Sequence, residues 1–404
     1  MKSAFPLFHP PPFRYYLNAL FDLELGGFPV AALRRSAAEM TALFVALAQQ
    51  SDTVVLDVDL PDEYFRYLHE AGFELYSGAD RPDCADRSPT DIVWGWNREA
   101  AIRLSAHFDE ARGEAVKAIN SRRFSSQLAD MHGFGVPHSR FCVNMDEVRT
   151  AMEQCPHSGP AVIKPAFGGA GFGFVMALRN GLSDKEWLQI ENHLCHGGVV
   201  VEPWLDRTVD LSTAIHVTRQ GNVGELRFQR QLVNSHGAFY GIYCSHHDPF
   251  MDEWRDELER VALIVAGEAS ASGYSGFIGV DSFVYRSAGG EERLAAGIEI
   301  NGRFTMGILA QLLFDRIAAP FPALLRFISA KKGRLPQSYE EWKRLLSNNI
   351  FDPQTRCGVI LLTPLRAGYQ GKWAQPLRSA FLLVAPSEKE ILELDDRLRA
   401  ALRP

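Results

Sequence analysis

The segment VIKPAFGGAGFGFVMAL, Val162 to Leu178, constrains this chain more than any other. A short apolar run ends in Lys164. Glycines follow at 168, 169, 171 and 173, and then a second apolar, aromatic run begins. Glycines clustered after a strand let the backbone approach a phosphate with its N–H groups pointing at it. A P-loop would need GxxxxGK[ST] leading into a helix, and no lysine follows these glycines. A dinucleotide fingerprint would need GxGxxG opening a helix, and the spacing differs. What remains is a glycine-rich flap turning between two strands, with Lys164 on the first. The competing account is a flexible hairpin with an exposed lysine.

With 404 residues the chain exceeds one hydrophobic core and predicts two or three domains. Its 46% hydrophobic and 23% charged residues are ordinary for a soluble globular protein. A formal net charge of -7 argues against an extended grip on nucleic acid, although a local basic site for a small anion is compatible with it. No run approaches the roughly 20 apolar residues of a membrane span. The first residues, MKSAFPLFHPPPFRYYLNAL, do not read as a secretory signal. Cysteines at 84, 142, 155, 195, 244 and 357 form no CxxC pair. Neither a zinc ribbon nor a disulfide scaffold is expected, and a reducing cytoplasm fits.

The first part, residues 1–114, reads as α/β. AAEMTALFVALAQQ has helical periodicity, TVVLDVDL is a β-branched strand, and DEYFRYLHEAGFELY is a helix stopped at Gly72 and followed by a short strand. Ser77 to Thr90 is polar and predicts a loop. In residues 115–204 the pattern gives a helix pair ending at Gly133 or Gly135, then strand, helix, flap, helix and the strand GVVVEPWL. Residues 205–404 read as mostly antiparallel: DLSTAIHVT with VGELRFQRQLV, a long helix from Trp254, GFIGVDSFVYR with ERLAAGIEING, the helix TMGILAQLLFDRIA, CGVILLTPL with AFLLVAP, and a terminal amphipathic helix.

Asp281 lies on one strand of this last part; Glu299 and Asn301, two apart, share a face of the next. A three-residue hairpin loop, Gly289 to Glu291, would set Asp281 opposite Glu299. Two carboxylates and an amide would then converge, the hard oxygen set that suits Mg²⁺ with phosphate and water completing an octahedron. A solvated strand face explains the acids poorly, because Phe277, Val280, Ile298 and Ile300 around them are buried types. Arg303 continues the face, and its planar fork suits a phosphoryl or carboxylate group. Arg227 and Arg230 fall on opposite strand faces, so at most one points at the site. Arg230, which leads into NSHGAFYG, is the candidate for a substrate carboxylate.

Together, the strand lysine with its flap, GVDxF with EINxR, and VVVEPWLDRTVD resemble the ATP-grasp family over about Ala115 to Leu313. The resemblance implies ATP as nucleotide, with Mg²⁺ or Mn²⁺. It implies Lys164, Gly168, Gly169 and Gly171 on the triphosphate, and Glu202 with the backbone at Trp204 and Leu205 at the adenine edge. Asp210 would accept from the ribose hydroxyls. Asp281, Glu299 and Asn301 would hold the metal, and Arg303 would face the reacting group. A phosphate-binding lysine is common near INSRRF; here Arg122 or Arg123 stands instead, with Arg122 preferred. The earlier part, with DIVWGWN, resembles more loosely the pre-ATP-grasp domain of peptide ligases. The implied fold is an N-terminal Rossmann-like α/β domain followed by a two-lobed ATP-grasp domain of α+β type with antiparallel sheets.

The activity so implied is a carboxylate–amine ligase that forms an acyl phosphate and releases ADP and phosphate. Its partners would be a small-molecule carboxylate and amine, with no nucleic acid and no membrane; oligomeric state stays open, a homodimer included. A non-amine acceptor or a carboxylate kinase is the nearest alternative. A non-catalytic ATP sensor is the alternative of another class, and the intact set Asp281, Glu299, Asn301 and Arg303 speaks against it. CSHHD (Cys244–Asp248) and HLCH (His193–His196) lack paired zinc spacing and read as a polar loop near the substrate entrance and a helix end. Trp94 and Trp96 read as packing.

Overall fold

The computed structural model describes residues 12–74, 89–156, 159–169, 171–177, 181–234, 239–331 and 334–403. Three sheets organise it. Strand β1 (Phe13–Tyr16) runs parallel between β2 (Thr53–Val55) and β3 (Thr90–Val93) in the N-terminal unit. A four-stranded antiparallel sheet follows, with β4 (Arg140–Cys142), β5 (Ala161–Pro165), β6 (Val175–Ala177) and β7 (Val199–Pro203) in the order β4-β7-β5-β6.

The large sheet takes β8 (Asp206–Val217), β9 (Arg227–Val233), β10 (Phe239–Cys244), β11 (Gly276–Arg286), β12 (Glu292–Asn301), β13 (Ala323–Ser329) and β14 (Gly358–Leu361). After the small hairpin β15 (Ala367–Tyr369) and β16 (Lys372–Ala374), β17 (Arg378–Val384) completes it. The order is β12-β11-β8-β9-β10-β13-β17-β14, antiparallel throughout. The predicted class, a parallel α/β unit followed by two antiparallel lobes, is the one observed.

Local chemistry explains the elements that frame the cleft. Helix Arg122–His132 starts on Ser121, whose side chain accepts from the Arg123 N–H, and ends on Gly133 in the left-handed region. Helix Asp184–Cys195 starts with a capping box from Ser183 and Glu186. The long helix Pro249–Ala271 is capped by Asp248 and lays Leu258, Val261, Val265 and Ala269 into the core.

Some elements depart from the sequence pattern. AAEMTALFVALAQQ is α-helical only over Arg34–Met40 and tightens into a 3₁₀ helix over Thr41–Ala46, where every residue is buried. A segment buried on all sides has no amphipathic stripe to set its pitch. TVVLDVDL forms a strand only over Thr53–Val55, with an isolated bridge from Asp59 to Gly368. The helix Asp62–Glu70 stops at Gly72 as expected. Residues 73 and 74 are not strand, and the rest of that expected strand, like the loop expected over 77–88, lies outside the described residues. Strands β1, β3, β10 and β13 and the β15–β16 hairpin were not anticipated. Among the described residues no helix is long and apolar enough to cross a membrane.

Candidate active site

The flap is a turn between antiparallel strands: β5 pairs β6 with Ala161 opposite Ala177 and Ile163 opposite Val175. Gly168, Gly171 and Gly173 take φ of +146°, +75° and +81°, which few side-chain-bearing residues tolerate. Gly169 lies beside the N-terminal unit, where a Cβ would stand 3.4 Å from Asp22 Oδ2, an ordinary contact distance. Phe28 packs edge-on against Phe172 and His193, with ring centroids 5.2 and 5.7 Å away. His193 Nε2 lies 2.8 Å from the Gly173 carbonyl. The HLCH segment is therefore a helix end, as expected, and one of its histidines pins the flap.

Lys164 on β5 and Glu202 on β7 share a face, because Lys164 pairs with Val200 and Val162 with Glu202. Both are buried, and the ammonium is ion-paired with the carboxylate. Burial lowers the Lys164 pKa, and Glu202 opposes that shift. Glu202, expected at an adenine edge, is here the ion-pair partner of Lys164. The Trp204 N–H donates to Pro160 O at 2.8 Å, and the Leu205 carbonyl accepts from Arg207 N at 3.0 Å. Asp210 is buried and accepts from Arg207 Nη1 at 3.1 Å, while the Arg207 guanidinium lies 4.0 Å above the Phe283 ring. Burial raises the Asp210 pKa against Arg207.

Arg122 joins the two lobes. Its side chain is buried, Nη1 donates to Pro165 O at 2.7 Å and Nη2 to Glu299 Oε1 at 2.6 Å. Arg123 is exposed beside Phe141. Of the two arginines, Arg122 is the one beside the flap strand.

Asp281 sits opposite Glu299, as expected, but not through a three-residue loop. Arg286 pairs with Glu292, so the loop is Ser287–Glu291, and at Phe283–Ala295 the register is still two residues short of the expected one. A bulge restores it. One residue, Ser282, faces three, Ala296 to Ile298, and the bulge is fastened by Gly297 N–H to Ser282 Oγ at 3.1 Å with Gly297 at φ +66°. Asn301 Nδ2 then donates to Asp281 Oδ2 at 3.2 Å and Gln231 Nε2 to Asp281 Oδ1 at 2.6 Å. Burial and the charge of Glu299 push the Asp281 carboxyl up to about 7. Gln231, and Ser212 opposite Asp281 on β8, belong to this face and were not singled out from sequence. Strand alternation names the partners only once one face is known to be the site.

Arg303 ends the row. Nη2 donates to Asn301 Oδ1 at 2.9 Å and Nε to Asp22 Oδ1 at 2.6 Å, and the guanidinium lies 5.1 Å over the Trp94 ring. Asp22 comes from the N-terminal unit and was also missed. Burial raises its pKa while Arg303 lowers it.

Arg230 does not join this group. Gln231 faces Asp281, so its neighbour faces the other side of the sheet. There Arg230 Nε lies 2.7 Å from Asp248 Oδ2 and Nη2 donates to Glu388 Oε2 at 2.6 Å. It fastens the terminal helix, and Asp248 of CSHHD, which also caps the long helix, lies with it on this side of the sheet. The alternation of faces was legible; which face looked into the cleft was not.

A cavity of 630 Å³ opens beside Arg303, between the N-terminal unit and the large sheet. Trp94, Trp96, His107 and Arg112 line one wall, and His216 and Arg219 the other. The buried Nε1 of Trp94 and of Trp96 and the Arg112 Nε have no hydrogen-bond partner. Trp94 and Trp96, expected as packing, also form cavity wall. Among the described residues no group of three or more His, Cys, Asp or Glu side chains is placed to hold a metal. The Asp281, Glu299 and Asn301 set supplies two carboxylates and an amide.

No family profile matches the chain. The [butirosin acyl-carrier protein]–L-glutamate ligase of Niallia circulans is 26% identical over 193 residues, which cover 47% of this chain and 44% of that protein. The matched region is thus less than half of the relative's length. Two solved structures resemble the whole fold. One is N5-carboxyaminoimidazole synthetase from Staphylococcus aureus with ADP, at TM-score 0.53 and 12% identity over 98% of this chain and 99% of that one. The other is pyruvate carboxylase from Rhizobium etli, at TM-score 0.52 and 14% identity over 96% of this chain and 37% of that one. With a flap over a strand lysine, carboxylates paired across β11 and β12, and an N-terminal α/β unit docked on both, the chain has the ATP-grasp fold.

Proposed function

We propose that the chain is an ATP-dependent carboxylate–amine ligase that forms an amide or peptide bond through an acyl phosphate, releasing ADP and phosphate. The observation that carries this is Arg122, whose guanidinium bonds the flap strand at Pro165 and the carboxylate of Glu299 at once. The base of the flap and the β11–β12 carboxylates therefore flank one cleft. A divalent cation fits the donor set there. The oxygens are hard, and the upward push of Glu299 on Asp281 is the repulsion that a cation would relieve. Held by Asp281, Glu299 and Asn301, Mg²⁺ would offset the negative charge of the phosphates.

The chain's own residues supply the rest. Lys164, released from Glu202, and the flap amides would hold the phosphates. Glu202, the Trp204–Leu205 backbone and Asp210 would meet the nucleoside. Arg303 would steady charge developing on the transferred oxygens. No protein nucleophile is required, because the substrate carries the covalent intermediate. The flap, pinned by His193, would exclude water from the acyl phosphate. The cavity beside Arg303, with Arg112, Arg219 and two unpartnered indole N–H groups, suits a small amino-acid-like anion. The Niallia relative, named for joining L-glutamate and an acyl-carrier protein, favours a second reading in which a carrier presents one of the two groups. The cysteine pattern supports a cytoplasmic setting.

The test is ADP release across a panel of amino acids, singly and in pairs, with hydroxylamine added when the amine is withheld. A hydroxamate formed together with ADP is expected. AMP and pyrophosphate would overturn the mechanism, and neither product would leave the sensor reading.

A further inference from the structure

We infer that the cavity beneath the C-terminal helix is a second ligand site, separate from the nucleotide cleft, that takes a small phosphate monoester. The cavity measures 760 Å³ and lies where the ends of β10, β13 and β17 meet the terminal helix Glu388–Ala401. Strands β11 and β13 are separated by β8, β9 and β10. At about 4.8 Å per strand, Arg326 on β13 stands roughly 20 Å from Asp281. The near rim of the cavity, Val233 and Asn234, begins two residues past Gln231 on β9, so it is the arginine end that a small ligand cannot share with the β11–β12 carboxylates.

Four arginines line it, at 326, 378, 399 and 403, against one carboxylate, Asp395. Asp395 is shared: Arg326 Nε lies 2.8 Å from Oδ1 and Arg399 Nε 3.0 Å from Oδ2. Those two arginines have the bland role of holding the terminal helix on the sheet, and Arg399 also pairs with Asp396. Arg378 and Arg403 have no carboxylate within ion-pair distance among the described residues. Their two uncompensated charges match the near −2 charge of a phosphate monoester at neutral pH and exceed the single charge of a carboxylate.

The forks are also held in place. The Arg326 guanidinium lies 4.2 Å over the Tyr240 ring, with Nη1 on Tyr240 O at 3.3 Å. The Arg378 guanidinium lies 4.6 Å over the Phe327 ring, with Nη2 on Phe239 O at 3.2 Å. Rings stacked on the planes leave the donor edges to meet tetrahedral oxygens with little ordering cost. Burial, and then the nearby Arg326, lower the Arg378 pKa, a stress that a bound anion relieves.

Phenyl phosphate titrated calorimetrically into the full chain, with ADP and Mg²⁺ saturating, tests this. One phenyl phosphate should bind, and Arg378→Gln and Arg403→Gln should each weaken it about tenfold or more while ADP affinity is unchanged. Benzoate should bind at least about tenfold more weakly than phenyl phosphate. Arg403 is exposed near the chain end, so its variant keeps the test alive should Arg378→Gln fail to fold. No heat from phenyl phosphate, equal binding by both variants, or equal binding of benzoate would overturn the inference. ADP leaves the γ-phosphate position open, so it is the loss of binding in the Arg378 and Arg403 variants, with ADP affinity unchanged, that separates this cavity from the reaction proposed above.

Discussion

At the scale of single residues, the two carboxylates of the β11–β12 pair do opposite things in the absence of a cation. Glu299 is engaged by Arg122, while Asp281 is pushed from 3.8 to about 7. A folded-state pKa above the unfolded one means the folded chain prefers the protonated acid. The contribution to stability is therefore full below about pH 4 and is lost as pH rises through about 7. In EDTA, Asp281→Asn should gain stability over the native chain between pH 5 and pH 8. The relative gain is at most about 4 kcal/mol, and smaller to the extent that solvent reaches the carboxyl. Urea unfolding at the two pH values reads it, and a variant whose stability relative to the native chain does not rise from pH 5 to pH 8 would refute the assignment. With Mg²⁺ the order should reverse, since only the native carboxylate binds the ion. Glu299→Gln should lower turnover at least about a hundredfold, on the order of 3 kcal/mol of transition-state stabilisation. Wild-type turnover at saturating Mg²⁺ would mean that Glu299 is not a ligand.

At the scale of elements, the register of β11 on β12 depends on the bulge at Gly297. A Cβ there would stand 2.8 Å from the Phe134 ring, and the backbone is left-handed. Gly297→Ala should cost roughly 2–4 kcal/mol of stability from strain and crowding. It should also weaken Mg²⁺-dependent ADP binding, because Glu299 and Asn301 lie two and four residues beyond it. A loss of stability with unchanged nucleotide binding would show that the bulge does not set the site. The pairing of Asp281 with Glu299 was legible in the sequence, but the route to it was not. A strand count assumes an unbroken ladder, and an inserted pair of residues compensated for a loop two residues longer than assumed. The flap was legible for a plainer reason: consecutive strands and clustered glycines are local signals. Lys164→Ala should remove most of the rise in melting temperature that ATP and Mg²⁺ give the native chain, since that lysine, buried against Glu202 at the base of the flap, is proposed to hold the phosphates. An undiminished rise would make Lys164 a bystander.

At the scale of the whole molecule, the N-terminal unit closes the site rather than merely preceding it. Asp22 lies 281 residues before Arg303, accepts from its Nε, and sits beside the flap at Gly169. No periodicity in the sequence could join residues so far apart, which is why Asp22 went unseen while Arg303, in phase with Asn301, did not. The Asp22 and Arg303 side chains are 14% and 9% exposed, so each is the other's compensation for leaving water. Removing either alone strands a largely buried charge and should cost about 3–5 kcal/mol. Asp22→Asn with Arg303→Gln should cost less than the two single changes summed, with a coupling of about 2 kcal/mol or more. Urea unfolding of the four proteins measures this coupling. The same four proteins separate docking from catalysis. Asp22→Asn keeps Arg303 in the cleft but frees it to wander. Turnover should fall about tenfold or more while ADP binding holds, because Arg303 is proposed to act on the transferred oxygens rather than on the bound nucleotide. Coupling below about 0.5 kcal/mol would mean that the unit docks without this ion pair, and a fall in ADP affinity matching the fall in turnover would move Arg303 from the reacting oxygens to the nucleotide.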